Sequence, residues 1–467
     1  MSDFTLTIDG KAVAATDHFG VINPATGDVF AEAPDASRAQ LDAAMASSEA
    51  ALRPWQADLE RRREALRGCA EALKAKAGEL APILVREQGK PMKDAFGEVM
   101  GSAAWFEFTA TLDIPVEVLV DTPESRIEVH RRPLGVVAAI TPWNYPLLLG
   151  IWKIAPALLA GNTVVIKPSP FTPLTTLALG AVLRDVLPPG VLNVISGGDE
   201  LGAWMTSHPV PRKISFTGST ATGKKVAASA APDLKRLTLE LGGNDAAIVL
   251  DDVEVDAIAE KLFWGAFQNC GQVCSAIKRV YVPEKLYTPI VDRLATLAGG
   301  VKVGDGFEEG VELGPLNNRP QFERVTELVD EARRSGARIA AGGAPVGGKG
   351  YFYQPTVLAD VAEGVRIVDE EQFGPALPVL PYRNVEEAVE RANRTTYGLS
   401  GSVWSGSAER GAEVASRLEC GTAWVNQHLA IVPFAPFGGA KWSGIGVENG
   451  PWGLMGFTEI QTLNVAK

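Results

Sequence analysis

Residues 134–169 read LGVVAAITPWNYPLLLGIWKIAPALLAGNTVVIKPS, and this stretch sets the fold. It holds two β-branched runs, Val136-Val137 and Val164-Val165-Ile166. Similar runs follow at Val194-Ile195 and Ile214-Ser215-Phe216. Helical stretches lie between them, among them Pro173 to Leu187 and Leu201 to Ser207. Strands alternating with helices are joined by crossovers, which give a parallel sheet with helices on both faces. Val136 to Ala160 is also the most apolar part of the chain, yet Asn144, Lys153 and three prolines make it a poor membrane span.

Working outward, Phe4, Leu6 and Ile8 alternate with polar residues and meet Asp9-Gly10, which predicts a strand entering a hairpin. Helical stretches follow at about Ser37 to Arg53 and Leu59 to Glu87. Arg61-Arg62-Arg63 in the second reads as a solvated helix face. Downstream, Gly242-Gly243 marks a domain boundary. A second alternation begins there, through Ala246 to Leu250, Lys278 to Val282, Ala376 to Pro381, Ser402 to Trp404 and Thr422 to Val425. Two α/β domains meeting at a cleft are expected. Ile127, Val129 and the tail residues Ile460, Thr462 and Asn464 are strand-like and suit a separate projecting sheet.

Bulk properties narrow the function. At 467 residues the chain is too long for one ordinary core, so two or three domains are expected. The 56 acidic residues outnumber the 44 basic ones, and a net charge of -12 disfavours nucleic-acid binding. Four cysteines are no disulfide framework and fit a reducing compartment. Met1-Ser2-Asp3-Phe4 does not open a signal peptide, so the cytoplasm is the expected address.

Five segments carry candidate chemistry. In Phe267-Gln268-Asn269-Cys270-Gly271-Gln272-Val273-Cys274, a thiol behind a Gly-Gln turn can be an exposed nucleophile, although most free cysteines are small core residues. Cys270 lies one helical turn earlier. With no histidine or third cysteine near, no metal site is expected. Thr141-Pro142-Trp143-Asn144-Tyr145-Pro146 follows a parallel strand, where such sheets bind ligands; its asparagine amide can donate to an oxyanion, or the segment is a capping turn. Phe216-Thr217-Gly218-Ser219 runs from a strand into a helix, as phosphate cradles do. Glu240-Leu241-Gly242-Gly243-Asn244 and Glu370-Glu371-Gln372-Phe373-Gly374-Pro375 place carboxylates by glycines, facing a cleft or only solvent.

Together these segments resemble the non-CoA-acylating, NAD(P)-dependent members of the aldehyde dehydrogenase superfamily, over almost the whole chain. Glu87-Gln88-Gly89-Lys90-Pro91, Gly161 to Ser169 and Pro436-Phe437-Gly438-Gly439 through Gly444 add to the match. The resemblance implies that the Cys274 thiolate attacks an aldehyde to give a thiohemiacetal. Asn144 and the Cys274 N–H would hold its oxyanion. Hydride transfer to nicotinamide would leave a thioester, and Glu240 would activate water to hydrolyse it. Glu240 argues against a CoA-acylating member. It implies further that Trp143, Lys167, Ser169, Gly218, Ser219, Glu371 and Phe373 bind the cofactor. NAD is expected first. NADP remains open, because Pro170 stands where NAD-selective members often carry a glutamate.

The fold so implied is α/β: a Rossmann-like cofactor domain (1–112 and 133–242), an α/β catalytic domain (243–440) and a small oligomerisation β-sheet with bridging segments (113–132 and 441–467). A homodimer or homotetramer is expected. By position, the substrate tunnel falls to Tyr145, Leu148, Leu149, Trp152, Gln268, Val273, Ser275 and the loop Leu429 to Phe434, with His428 beside it as a structural residue. No arginine or lysine stands among these residues. Medium-chain aliphatic or aromatic aldehydes are therefore expected over carboxylated semialdehydes. A catalytically silent protein of the same fold would have lost Cys274 or Glu240, and both are present.

Overall fold

A computed structural model describes residues 4–467. Its largest sheet is built on five parallel strands: Val136–Ile140, Thr163–Lys167, Leu192–Val194, Lys213–Thr217 and Arg236–Glu240. Numbered along the chain, they stand side by side in the order 5-4-1-2-3, the doubly wound arrangement. Every residue of the first two strands is buried, as a sheet covered on both faces requires. Register aligns their carboxyl ends: Ile140 pairs with Lys167 and with Phe216, and Thr217 with Glu240. The hairpin Leu6–Ile8 and Lys11–Val13 closes one edge, and Gly444–Ile445 adds antiparallel at the other.

The second sheet starts three residues after Gly242. Asp245–Val249, Ile277–Pro283, Thr356–Ala359, Ala376–Tyr382, Ser400–Trp404 and Thr422–Val425 are parallel, with Arg338–Ala341 antiparallel at one edge. The anticipated strands of both halves are therefore present. Ser125–Pro133 and Thr458–Ala466 pair antiparallel, with Ile127 opposite Asn464 and Val129 opposite Thr462, and Glu117–Asp121 completes a separate three-stranded sheet. A fourth, two-stranded sheet, Asp17–Ile22 with Val29–Asp35, was not marked by the sequence reading.

Leu59–Gln88 forms a helix that Asp58 caps and Gly89 ends at φ 100°. Its arginine cluster departs from expectation. Arg62 is 7% exposed and turns inward. It donates from Nε to the Leu159 carbonyl (2.9 Å) and from Nη1 to that of Gln56 (2.8 Å). The guanidinium thus satisfies a carbonyl ending the helix Leu148–Leu159, which has no intrahelical partner. Among the described residues, no helix is long and apolar enough to cross a membrane.

Candidate active site

The carboxyl ends of the first sheet face the amino ends of the second, and the candidate residues collect between them. From the first sheet, Val136–Ile140 leads into Trp143, Asn144 and Tyr145, while Arg236–Glu240 ends on Glu240 itself. From the second, Cys274 stands just before Ile277–Pro283 and Glu371 before Ala376–Tyr382. The rule that ligands gather at carboxyl strand ends covers the first group only.

Cys274, Asn144 and Glu240 line one cavity of about 180 Å³. Asn144 is buried and doubly held. Its Nδ2 donates to the Gln272 carbonyl (2.9 Å), and its own carbonyl accepts from Lys90 Nζ (2.9 Å). Lys90 also pairs with Glu98 at 2.5 Å, and Glu98 accepts the Leu147 and Leu148 N–H groups, fixing the loop where the next helix starts.

The approach to Cys274 is irregular. Asn269, Cys270 and Gly271 lie consecutively at φ 52°, 58° and 71°. This corrects the expectation that Cys270 precedes Cys274 on one helical turn. Left-handed backbone breaks the helix after Phe267, and Cys270 turns into the second sheet's core at 1% exposure. A side chain at Gly271 would stand 2.2 Å from the Gly374 carbonyl oxygen. Burial pushes the Cys274 thiol up to about 12, the charges of Glu240 and Glu371 add to this, and Lys278 opposes it.

Glu240 is 4% exposed, and neither carboxylate oxygen has a partner among the described residues. Burial holds its carboxyl well above the usual range, and Glu448 adds to the effect. Glu448 pairs with Lys153 at 2.5 Å, both fully buried, and the same ammonium donates to Thr217 Oγ1 at 2.7 Å. Neither member of this pair had a role in the sequence reading. Lys153 showed only as a charge interrupting an apolar run, and 295 residues separate it from Glu448.

The anticipated tunnel residues Tyr145, Leu148, Leu149, Trp152, Gln268, Val273 and Ser275 all line the cavity, with Leu429 and Ile431. Phe434 does not. It is 60% exposed and packs edge-on against Phe108 at 6.3 Å, because the loop bends outward beyond Ile431. Trp105, Thr217 and Phe437 complete the wall and were not anticipated. Trp152 stacks on Trp105 at 5.8 Å and meets Phe437 edge-on at 5.7 Å. Among the described residues, no arginine or lysine lines the cavity. His428 Nε2 contacts the Ser275 carbonyl at 2.6 Å; burial lowers its pKa to about 3, so the ring is neutral.

On the other side of Cys274, Trp143 meets Phe373 edge-on at 5.1 Å, joining loops of the two sheets. Glu371 accepts the Gly243 N–H at 3.1 Å, an approach only glycine allows. A side chain at Gly242 would stand 2.3 Å from the Glu371 carboxylate, and one at Gly243 2.6 Å from the Cys274 carbonyl. Gly218 donates to the Glu240 carbonyl at 3.0 Å, and Ser219 caps the helix Thr220–Ala230. Lys167 is 3% exposed, and among the described residues its ammonium bonds only the Pro168 carbonyl, at 3.2 Å. Burial lowers its pKa to about 8. Ser169 Oγ accepts the Phe171 N–H at 3.3 Å.

A doubly wound sheet whose carboxyl edge opens onto a cavity defines a class of ligand-binding α/β protein. Comparison with known proteins narrows this class. The aldehyde dehydrogenase family profile matches residues 12–463. A probable aldehyde dehydrogenase of Pseudomonas sp is 41% identical over 99% of this chain and 94% of its own. Retinaldehyde dehydrogenase 3 of Rattus norvegicus is 39% identical over 96% and 89%, and the chloroplastic betaine aldehyde dehydrogenase of Beta vulgaris 39% over 98% and 95%. The NAD+ complex of a Bacillus cereus aldehyde dehydrogenase superposes with a TM-score of 0.97 at 36% identity, covering 100% and 97%. An E. coli NADP-dependent enzyme gives 0.97 at 34%, covering 99% and 98%. The chain belongs to the aldehyde dehydrogenase family. It is an NAD(P)-dependent enzyme that oxidises aldehydes.

Proposed function

We propose that Cys274 is the nucleophile, Asn144 and the Cys274 N–H hold the oxyanion, and Glu240 activates the hydrolytic water. The observation carrying this reading is the shared cavity: residues 96 and 130 positions from Asn144 stand around one space. Cys274 adds to the aldehyde carbon and forms a C–S bond. Loss of hydride from that carbon leaves a thioester, and water made nucleophilic by Glu240 cleaves it to the acid. A bound nicotinamide dinucleotide supplies the hydride acceptor. The residues present fit one: Lys167 carries a buried ammonium with spare donors, Gly218 and Ser219 open a helix N-terminus, and Glu371 stands against bare glycine. Trp143, Ser169 and Phe373 complete that surface in this reading. NAD is the preferred cofactor. The carboxylates of Asp199 and Asp35 act on Lys167, and a 2'-phosphate placed there would meet both. Replacing Cys274 by alanine abolishes aldehyde oxidation and spares dinucleotide binding, measured by absorbance of the reduced cofactor and by titration. Activity retained in that variant removes the assignment.

For substrate we infer a neutral medium-chain aliphatic or aromatic aldehyde. A wall of Trp105, Trp152, Leu149 and Phe437 offers no counter-ion to a carboxylate. The same ring faces favour a second reading, an ammonium-bearing aldehyde held by cation–π contact. A kcat/KM series over chain length, with benzaldehyde, a trimethylammonium aldehyde and succinic semialdehyde, separates them. Preference for the semialdehyde overturns both. We further infer cofactor (1–112, 133–242) and catalytic (243–440) domains, a cytoplasmic address, and a homodimer or homotetramer. Exposed Leu119, Ile460 and Leu463 on the three-stranded sheet support that assembly.

A further inference from the structure

Lys278 lies on the strand Ile277–Pro283, four residues after Cys274, at 2% exposure. Its ammonium donates to the Val273 carbonyl at 2.6 Å and lies 5.7 Å from the Phe373 ring centre. Burying an ammonium whose one hydrogen bond among the described residues goes to a carbonyl is costly, so its presence here calls for an explanation. The carbonyl it holds belongs to the peptide whose N–H is that of Cys274. A cation on an amide oxygen draws electron density through the conjugated bond and makes the N–H a stronger donor. The same charge acts on the sulfur and opposes the influence there of three carboxylates, those of Glu240, Glu371 and Asp245. His428, packed nearby, is neutral and adds none.

We propose that Lys278 is a positioning residue for aldehyde oxidation: anchored on the Val273 carbonyl, its ammonium polarises the Val273–Cys274 peptide, so that both the Cys274 sulfur and the Cys274 N–H favour negative charge. This rests on the reading of Cys274 as nucleophile. The sequence signal is Cys274-Ser275-Ala276-Ile277-Lys278, a lysine in a run that otherwise reads as a buried strand.

The test compares the full-length enzyme with Lys278→Gln, which keeps a donor to Val273 without the charge, Lys278→Met, which removes both, and Lys278→Arg, which keeps the charge. The rate of Cys274 alkylation by iodoacetamide is followed against pH by mass spectrometry of the Cys274 peptide. Steady-state kcat and KM and the thermal unfolding midpoint are measured alongside. The alkylation midpoint rises by about one pH unit in the Gln and Met variants, read below the midpoint as about tenfold slower alkylation at a fixed pH. Their kcat falls ~10-fold with KM nearly unchanged, a weakened oxyanion donor costing less than a deleted one. Lys278→Arg returns the midpoint towards that of the parent. Should Lys278→Met not fold, the Gln and Arg pair carries the comparison. An unmoved midpoint in folded Lys278→Gln, with alkylation still abolishing activity, overturns the role of Lys278 and leaves the nucleophile assignment standing. Full aldehyde oxidation after Cys274 is alkylated overturns both.

Discussion

Glu240 shows how far one residue's surroundings set its chemistry. A base acts only when ionised, and burial holds this carboxyl well above its usual range. With Glu240 as the proposed base, thioester hydrolysis speeds up as pH rises through that raised value and slows as it falls. In Glu240→Gln this limb disappears. A burst of reduced cofactor is followed by slow turnover, and intact mass spectrometry finds the acylated chain. Stability responds with a definite sign. The native carboxyl keeps its proton where the unfolded chain has lost it, so its contribution is full below the unfolded value of about 4.3 and is lost as pH rises to the folded one. Glu240→Gln accordingly gains on the parent by up to ~1.4 kcal/mol per pH unit across that window, read from urea unfolding at several pH values. A parallel pH dependence in both proteins would mean that Glu240 titrates normally. The sequence pointed to Cys274, Asn144 and Glu240 through the family resemblance that their segments carry together, each segment alone leaving a bland reading open. It gave no sign of the Lys153–Glu448 pair, since neither residue has a distinctive neighbourhood and only folding brings them together.

Among elements, the strands were the most legible, because parallel strands buried on both faces are runs of β-branched residues with turns between. Arg62 was misread for a comparable reason. Three consecutive arginines suggest solvent, yet on a helix they point about 100° apart, so one can turn inward while its neighbours do not. The helical-turn spacing read between Cys270 and Cys274 failed because residue spacing does not register the positive φ of the segment Asn269–Gly271. Its geometry carries a prediction. In Gly271→Ala the added carbon meets the Gly374 carbonyl, and the backbone is left-handed there as well. The loss is at least ~2 kcal/mol from strain and displacement together. It shows as a lower unfolding midpoint and, because Cys274 is displaced, as kcat lost beyond what stability explains. Wild-type kcat in a folded Gly271→Ala protein would show that the approach to Cys274 tolerates another path.

Over the whole molecule, the projecting sheet exposes apolar side chains that a solitary chain gains nothing by showing. If the proposed homo-oligomer forms through this sheet, Leu119→Asp with Ile460→Asp lowers the mass measured by light scattering to that of one chain, 49.5 kDa, while residues around Cys274 are untouched. An unchanged mass moves the interface elsewhere. The largest sheet has another consequence, in time. One edge uses Leu6–Ile8 and the other Gly444–Ile445, so nearly the whole chain must leave the ribosome before its rows are complete. Glu448 emerges still later. After Lys153 has been made, roughly 15 to 60 s pass at ~5–20 residues per second before its counter-ion exists. Throughout that interval Lys153 lacks the carboxylate it pairs with, and only Glu240 among the described residues offers a partial substitute. The helix Leu148–Leu159 is therefore expected to gain its full order only after Glu448 arrives, so a chain cut before Glu448 should exchange its amides there faster than the full-length enzyme.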